Sequence, residues 1–189
     1  MDWLSDEQVM AAVTAGDQDA LAALVARHHG SLLGYLYRLT GGDRPLAEDL
    51  VQETFLRVLQ PCIYQAGRPF KSWFYAIATN LVRDHFKSAA VRQRWQQADH
   101  EETLLHLYDC TPGPEERALA AEQGGEVAAA LAQLGEEHRI VLLLRFYQGL
   151  SLNEIAETLQ IPLGTVKSRL SVGTHRLRAV LAPIQEGVK

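Results

Sequence analysis

Apolar residues recur every three or four positions along almost the whole chain, and no stretch alternates apolar and polar residues as a half-buried strand would. LAALVARHHGSLLGYLYRL (21–39), LAEDLVQETFLRVLQ (46–60) and FKSWFYAIATNLVRDHFK (70–87) each carry a stripe of this period. Such segments must bury one face against another helix, so an all-α fold is expected. Punctuation sets the helix ends. GGDRP (41–45) breaks the pattern and offers Pro45 to the first turn of the next helix. Pro61 stops that helix, and CIYQAGRP (62–69) reads as a loop. The third helix is expected to fray through 88–97. ALAQLGEEHRIVLLLRFYQG (130–149) contains the most apolar helix, with Gly149 placed to end it. Between these blocks the chain turns acidic, and TPGPEE (111–116) reads as a linker. Two small helical domains follow, 1–95 and 123–189, joined by a flexible acidic linker over 96–122.

Several classes of function are disfavoured at once. No apolar run approaches the ~20 residues of a membrane helix, so no membrane insertion of its own is expected. The start, MDWLSDEQVM, carries acids where a secretory signal carries bases, which points to the cytoplasm. Cys62 and Cys110 are far apart and lack histidines at ligand spacing, so free thiols are expected. His28 and His29 are the only close histidine pair, and adjacent helical residues point about 100° apart. No metal, cofactor or catalytic centre is expected.

Charge is distributed unevenly. The chain is formally −5, yet residues 68–94 hold 6 bases and 1 acid, and residues 161–189 hold 5 bases and 1 acid. Residues 99–126, by contrast, hold 8 acids and 1 base. Where charges sit governs polyanion binding more than their sum does.

The C-terminal basic block has an internal logic. In SLNEIAETLQIPLGTVKSRL (151–170), Ser151 and Glu154 have capping-box spacing. A short IPLG turn follows, and Thr165 is expected to cap a second helix through its hydroxyl. This is a helix-turn-helix arrangement, whose second helix enters the DNA major groove. At about 100° per residue, Val166, Leu170, Gly173, Leu177, Val180 and Leu181 form a buried stripe. Lys167, Ser168, Ser171, His175, Arg176 and Arg178 occupy the rest, with Arg169 at the edge and no carboxylate among them. Such a face suits phosphates and base edges, although a solvated amphipathic helix would carry similar charges.

Two further segments stand out. In AEDLVQETFLRVL (47–59), Ala47, Leu50, Val51, Thr54, Phe55 and Val58 share one face. Leu56 sits in the middle of the opposite, polar face with Asp49, Gln52, Glu53 and Arg57. It is either a single exposed apolar residue or the anchor of a protein-binding surface. RPFKSWFYAIATNLVRDHFK (68–87) interleaves Arg68, Lys71, Arg83 and Lys87 with aromatic rings. Rings stack on bases while cations follow the backbone, a combination suited to single-stranded nucleic acid; helical spacing would equally place many of these rings in a core. Trp73 and Ile77 are expected mainly in the core, and Tyr64, in the preceding loop, is freer to meet a base.

These blocks, in this order, resemble the extracytoplasmic-function (ECF) group of bacterial sigma-70 factors. The matching stretches are GDQDALAALVARHHGSLLGYLYRL, AEDLVQETFLRV, FKSWFYAIATNLVRD and LGEEHRIVLLLRFYQGLSLNEIAETLQIPLGTVKSRL. The resemblance implies no catalysis, but a subunit that binds RNA polymerase core, recognises −35 and −10 promoter elements and promotes melting. Its D-x-x-Q-E pattern falls on Asp49, Gln52 and Glu53, implying docking on the clamp helices of the largest subunit, with Leu56 joining them. Its −10 pocket falls on residues 63–69, including Tyr64 and Arg68, and its asparagine on Asn80, beside the basic residues Lys71, Arg83 and Lys87. Its −35 reading helix implies contacts from Thr165, Lys167, Ser168, Arg169, Ser171, His175 and Arg178. An anti-sigma partner is implied as well. One departure is visible. Where the family continues K-S-R-L with a bulky or basic residue and an R-A-R-like run, this chain has Ser171-Val172-Gly173-Thr174. The family's mid-helix phosphate contacts do not carry over there. A helix-turn-helix regulator acting without polymerase, and an enzyme built on the histidines, are the competing readings.

Overall fold

A computed structural model describes residues 3–60, 64, 67–98 and 125–186, and these form helices and connecting turns without a strand. Eight α-helices follow in order: α1 (Asp6–Thr14), α2 (Gln18–Leu39), α3 (Arg44–Val58), α4 (Phe70–Ala98), α5 (Gly125–Ala132), α6 (Glu136–Leu142), α7 (Leu152–Leu159) and α8 (Leu163–Glu186). Residues 99–122 of the expected linker, and both cysteines, lie outside the described residues.

Helices α1 to α4 make the N-terminal group. A capping box of Ser5 and Gln8 starts α1, a helix the sequence reading did not single out. Asp43 accepts from the Leu46 N–H to start α3, with Pro45 in its first turn, as GGDRP implied. The preceding Gly41 and Gly42 have φ of 77° and 98°, a left-handed path that glycine adopts without strain. Helix α3 ends at Val58, three residues before Pro61. Helix α4 runs to Ala98 as one element instead of fraying after Lys87. Tyr35, Phe70, Phe74 and Tyr75 are fully buried between these helices, and Trp73 is nearly so. Ile77, expected in the core, is half-buried.

The C-terminal group departs from expectation in two places. The segment 130–149 is not one helix: α5 ends at Ala132 and α6 restarts after Gly135. Its last turn widens into a π-turn, Leu143–Tyr147, which closes when Gln148 N–H reaches the Leu143 carbonyl at 3.0 Å. Leu143 and Leu144 stay buried while Phe146 is 70% exposed. Gly149 then stops the helix at φ 74°, as its position implied. The second departure concerns Thr165, which does not cap α8. The helix begins two residues earlier, because Pro162 already holds a helical entry angle. The Pro162 carbonyl accepts from the N–H groups of Thr165 and Val166. The capping box of α7 forms as expected: Ser151 N–H donates to Glu154 Oε2 at 2.7 Å, and Glu154 N–H to Ser151 Oγ at 3.2 Å. The Ser151 hydroxyl beside the carboxyl, and then the Ser151 backbone N–H, hold the Glu154 carboxyl below its ordinary range.

Gly173 lies on the buried stripe of α8 and faces α6. A Cβ there would sit 3.2 Å from Leu142 Cδ1 and 3.3 Å from His138 Cβ. The glycine lets the two helix backbones approach closely, which offsets the ~1 kcal/mol that glycine costs inside a helix.

The two groups pack against each other. Buried Gln148 donates to the Ser31 carbonyl at 3.1 Å and accepts a short bond from the Tyr75 hydroxyl. Thr158 donates to the Ser72 carbonyl at 3.2 Å, and Arg139 to the Leu39 carbonyl at 3.2 Å. Arg38 stacks over the Tyr147 ring at 4.4 Å, and Arg83 lies 3.7 Å from Glu136. Burial, the largest effect, pushes the Tyr75 pKa up to about 12, so its hydroxyl stays a donor at neutral pH.

Gly173→Leu overfills the crossing of α6 and α8. It is expected to cost about 1–3 kcal/mol in urea unfolding, with the α-helical signal retained before the transition. An unchanged midpoint would mean that the crossing is not tight.

Candidate nucleic-acid and protein interfaces

Three outward surfaces carry the candidate residues. On α3, all six residues assigned to the inner face are buried. Asp49 and Gln52 are exposed on the other side, and Glu53 accepts from Arg57 Nε at 3.0 Å across one turn. Leu56 is 60% exposed among them. Leu59, 45% exposed at the C-cap, adds a second apolar side chain that sequence reasoning missed. Its spacing of three from Leu56 was the available signal.

The second surface is the loop before α4 and the helix itself. Of the loop, residues 61–63 and 65–66 lie outside the described residues. Tyr64 is not free. Its ring centroid is 4.9 Å from that of Trp73 and 6.3 Å from that of Phe70, and its hydroxyl donates to the Arg68 carbonyl at 2.7 Å. An aromatic next to a buried aromatic cluster gains more by packing than by standing in water. Burial raises its pKa, with the Glu7 charge adding to the effect. Arg68, Lys71, Asn80 and Lys87 are exposed, and Arg83 is half-buried beside Glu136. By helical angle Asn80, Arg83 and Lys87 share one face within about 60°, while Lys71, in the first turn, points the opposite way.

The third surface belongs to α8. Lys167, Ser168, Ser171, His175 and Arg178 are all exposed, as the angular argument implied. Lys167, Ser171, His175 and Arg178 line one open groove with Leu152, Leu170 and Thr174, and no carboxylate is among the lining residues. Thr174 was not foreseen as part of it; its hydroxyl donates back to the Leu170 carbonyl at 2.8 Å. Ser168 likewise donates to the Thr165 carbonyl at 3.0 Å. Arg169 leaves this face: its guanidinium lies 2.6 Å from the Glu137 carboxylate at the start of α6. Thr165 is half-buried. Among the described residues no three metal-ligating side chains converge, and no helix is long and apolar enough to cross a membrane.

Comparison with known proteins bears on all three surfaces. The family model "Sigma-70 region 2" matches residues 24–92, and "Sigma-70, region 4" matches residues 130–179. The ECF RNA polymerase sigma factor SigL of Mycobacterium tuberculosis is 38% identical, over 88% of this chain and 92% of its own length. The chain belongs to the ECF group of the sigma-70 family. SigE of Mycolicibacterium smegmatis is also 38% identical, over 96% of this chain and 72% of its own length. SigW of Bacillus subtilis is 33% identical, over 89% and 92%. Among solved structures, CnrH in complex with the cytosolic domain of CnrY superposes with a TM-score of 0.69, at 26% identity over 94% of this chain and 97% of that one. The sigma factor RpoE of Bartonella quintana, in complex with the anti-sigma factor NepR, shares the fold at a TM-score of 0.60 and 22% identity over 84% and 94%.

In this ECF sigma factor the region 2 match takes in α3 and the greater part of α4. The region 4 match takes in α6, α7 and α8 to Ala179. Helix α1 precedes both matches.

Glu137→Gln removes the carboxylate that engages Arg169. Affinity for duplex DNA is expected to rise about two- to fivefold at low salt, with a steeper salt slope as one more cation becomes available. Unchanged affinity would show that Arg169 does not reach DNA.

Proposed function

We propose that this sigma factor docks on the clamp helices of the polymerase largest subunit through the outward face of α3. Asp49, Gln52 and Glu53 form the polar rim, and Leu56, extended by Leu59, is the apolar anchor. The loop over 63–69, with Arg68 and with Tyr64 packed as its support, receives an unpaired −10 base. Asn80, Arg83 and Lys87 follow the melted strand on one face of α4, and Lys71 stands at its first turn. Helix α8 reads the −35 duplex through Lys167, Ser168, Ser171, His175 and Arg178, with Thr165 at the entry and Arg169 once released from Glu137. Residues 1–95, 96–122 and 123–189 then act as promoter-melting domain, linker and −35 domain.

The observation that carries this reading is the pair Leu56 at 60% and Leu59 at 45% exposure beside the polar Asp49, Gln52 and Glu53, in a chain that also presents an acid-free basic groove. A regulator that only binds duplex DNA has use for the groove but not for the apolar anchor.

The packing of the two groups adds a requirement. The −35 and −10 elements are named about 25 positions apart, roughly 80 Å of duplex at ~3.4 Å per step. Domains in contact do not reach both, so promoter binding separates them. An anti-sigma factor that favours the joined form would hold the protein inactive. The Bartonella RpoE was solved in complex with the anti-sigma factor NepR, and CnrH in complex with the cytosolic domain of CnrY, which supports a protein partner of this kind here. Acting as a polymerase subunit places the protein in the cytoplasm.

Transcription with purified core polymerase on a randomised promoter pool tests the proposal. Initiation from a selected subset is expected, and no initiation on any template overturns it. Leu56→Asp is expected to weaken core binding at least about thirtyfold, because central interface anchors contribute ~2 kcal/mol or more. Its thermal unfolding should stay unchanged, since the side chain is exposed; full core binding by the variant removes the anchor.

A further inference from the structure

Helix α4 starts without a local cap. The residue before Phe70 is Pro69, which has no side-chain acceptor, and Arg68 before it is a cation. The first N–H groups of a helix need acceptors from outside it. Here the Phe70 N–H donates to Glu7 Oε1 at 3.0 Å, a carboxylate on α1, 63 residues earlier in the chain. A carboxylate at a helix N-terminus is favoured by the helix dipole as well as by the hydrogen bond. The bond to Phe70 is the leading reason that the Glu7 carboxyl sits below its ordinary range.

The neighbouring acid ties the same helix elsewhere. Asp6 Oδ1 accepts from Arg27 Nη1 at 3.2 Å, and Asp6 Oδ2 lies 3.0 Å from His28 Nε2, both on α2. The His28 ring in turn rests 5.1 Å from the Phe70 ring. Two adjacent acids of α1 therefore hold α2 on one side and the first turn of α4 on the other. Tyr64 packs on Phe70 and Trp73 in that same turn and donates to the Arg68 carbonyl, so Tyr64 is seated on the turn that Glu7 fixes.

We infer that Glu7 is a positioning residue for −10 recognition. It sets the first turn of α4 and, through Phe70, the seat of Tyr64 and the direction of Lys71. This rests on the proposed −10 role of Tyr64 and Arg68, but it assigns the function to α1, which lies outside the region 2 match. The side chain does not touch DNA; it acts through the backbone of Phe70.

The test uses the full chain bound to core polymerase. The probe is a labelled single strand carrying the −10 sequence that wild-type holoenzyme selects from a randomised pool, compared with a scrambled strand. Glu7→Ala is expected to narrow the selected-to-scrambled affinity ratio about three- to tenfold, the loss typical of a helix cap. Core binding and binding to a duplex −35 fragment should be unchanged. Glu7→Gln, which keeps an acceptor oxygen, is expected to recover most of the ratio. A folded Glu7→Ala with the wild-type ratio overturns the assignment. So does an equal fall in all three affinities, which would mark a purely structural residue, or a Glu7→Gln variant as impaired as Glu7→Ala. If the wild-type protein shows no preference for the selected strand, the −10 reading falls first and this inference with it.

Discussion

The seam between the two helical groups turns on one buried amide. Gln148 donates to the Ser31 carbonyl and accepts from the Tyr75 hydroxyl, so both ends of its side chain are satisfied by the other group. Further polar contacts cross the seam: Thr158 to Ser72, Arg139 to Leu39, Arg83 to Glu136 and Arg38 over Tyr147. The cores on either side are apolar, built on side chains such as Leu32, Leu36, Phe70 and Phe74 in one group and Ile140, Leu144 and Ile155 in the other. This difference matters for opening. Water can replace protein partners for polar groups at a net cost of only ~0.5–1.5 kcal/mol per bond, whereas exposing a large apolar side chain costs about 1.5–3 kcal/mol. The buried apolar side chains of the two groups nevertheless join in one cluster, so parting the groups breaks these polar bonds and also exposes apolar surface.

Electrostatics follow the same division. Glu136 and Glu137 begin α6 side by side, where the helix dipole favours acids. One approaches Arg83 of α4 and the other Arg169 of α8. The two cations come from the two helices proposed to meet DNA, and each is partly occupied by a carboxylate, Arg83 across the seam and Arg169 within its own group. Both pairs are partly solvent-exposed, so each is weak and salt-sensitive. A phosphate, presented in a dense array, is a competitive replacement. A net acidic chain can in this way keep its basic faces without binding every polyanion it meets.

Much of this was legible because amphipathic period and caps are local signals. The six inner residues of α3, the exposed basic face of α8, the Ser151–Glu154 box and the Gly149 stop all follow from spacing of a few residues, while the expected buried stripe of α8 holds fully only at Val166 and Gly173, with Leu170, Leu177, Val180 and Leu181 half-buried. What escaped was either non-local or a contest between two local signals. The Glu7 cap of α4 joins residues 63 apart, and nothing around Pro69 announces it. Tyr64 looked free because its partners, Trp73 and Phe70, lie six to nine residues on and meet its ring only in the folded chain. At Thr165, a good capping residue lost to Pro162, whose ring pre-sets the helix two residues sooner. The π-turn at Leu143–Tyr147 has no sequence signature of its own; it is recognisable only from which leucines the core accepts.

The Ser171-Val172-Gly173-Thr174 stretch shows how a departure from a family pattern separates into parts once burial is known. Gly173 faces α6 and answers to packing, since its missing Cβ is what the contact with Leu142 and His138 requires. It therefore says nothing about DNA. Thr174 is half-buried and returns its hydroxyl to the helix. Ser171 and Val172 are the two that face outward. On the proposed reading Ser171 stands where a long basic side chain would otherwise cross the groove between Lys167 and His175, whereas Val172 lies outside the groove lining. A short serine leaves the groove floor open to a base edge. Affinity then rests on Lys167, Arg178 and the polymerase, and discrimination rests on a small side chain that carries no charge.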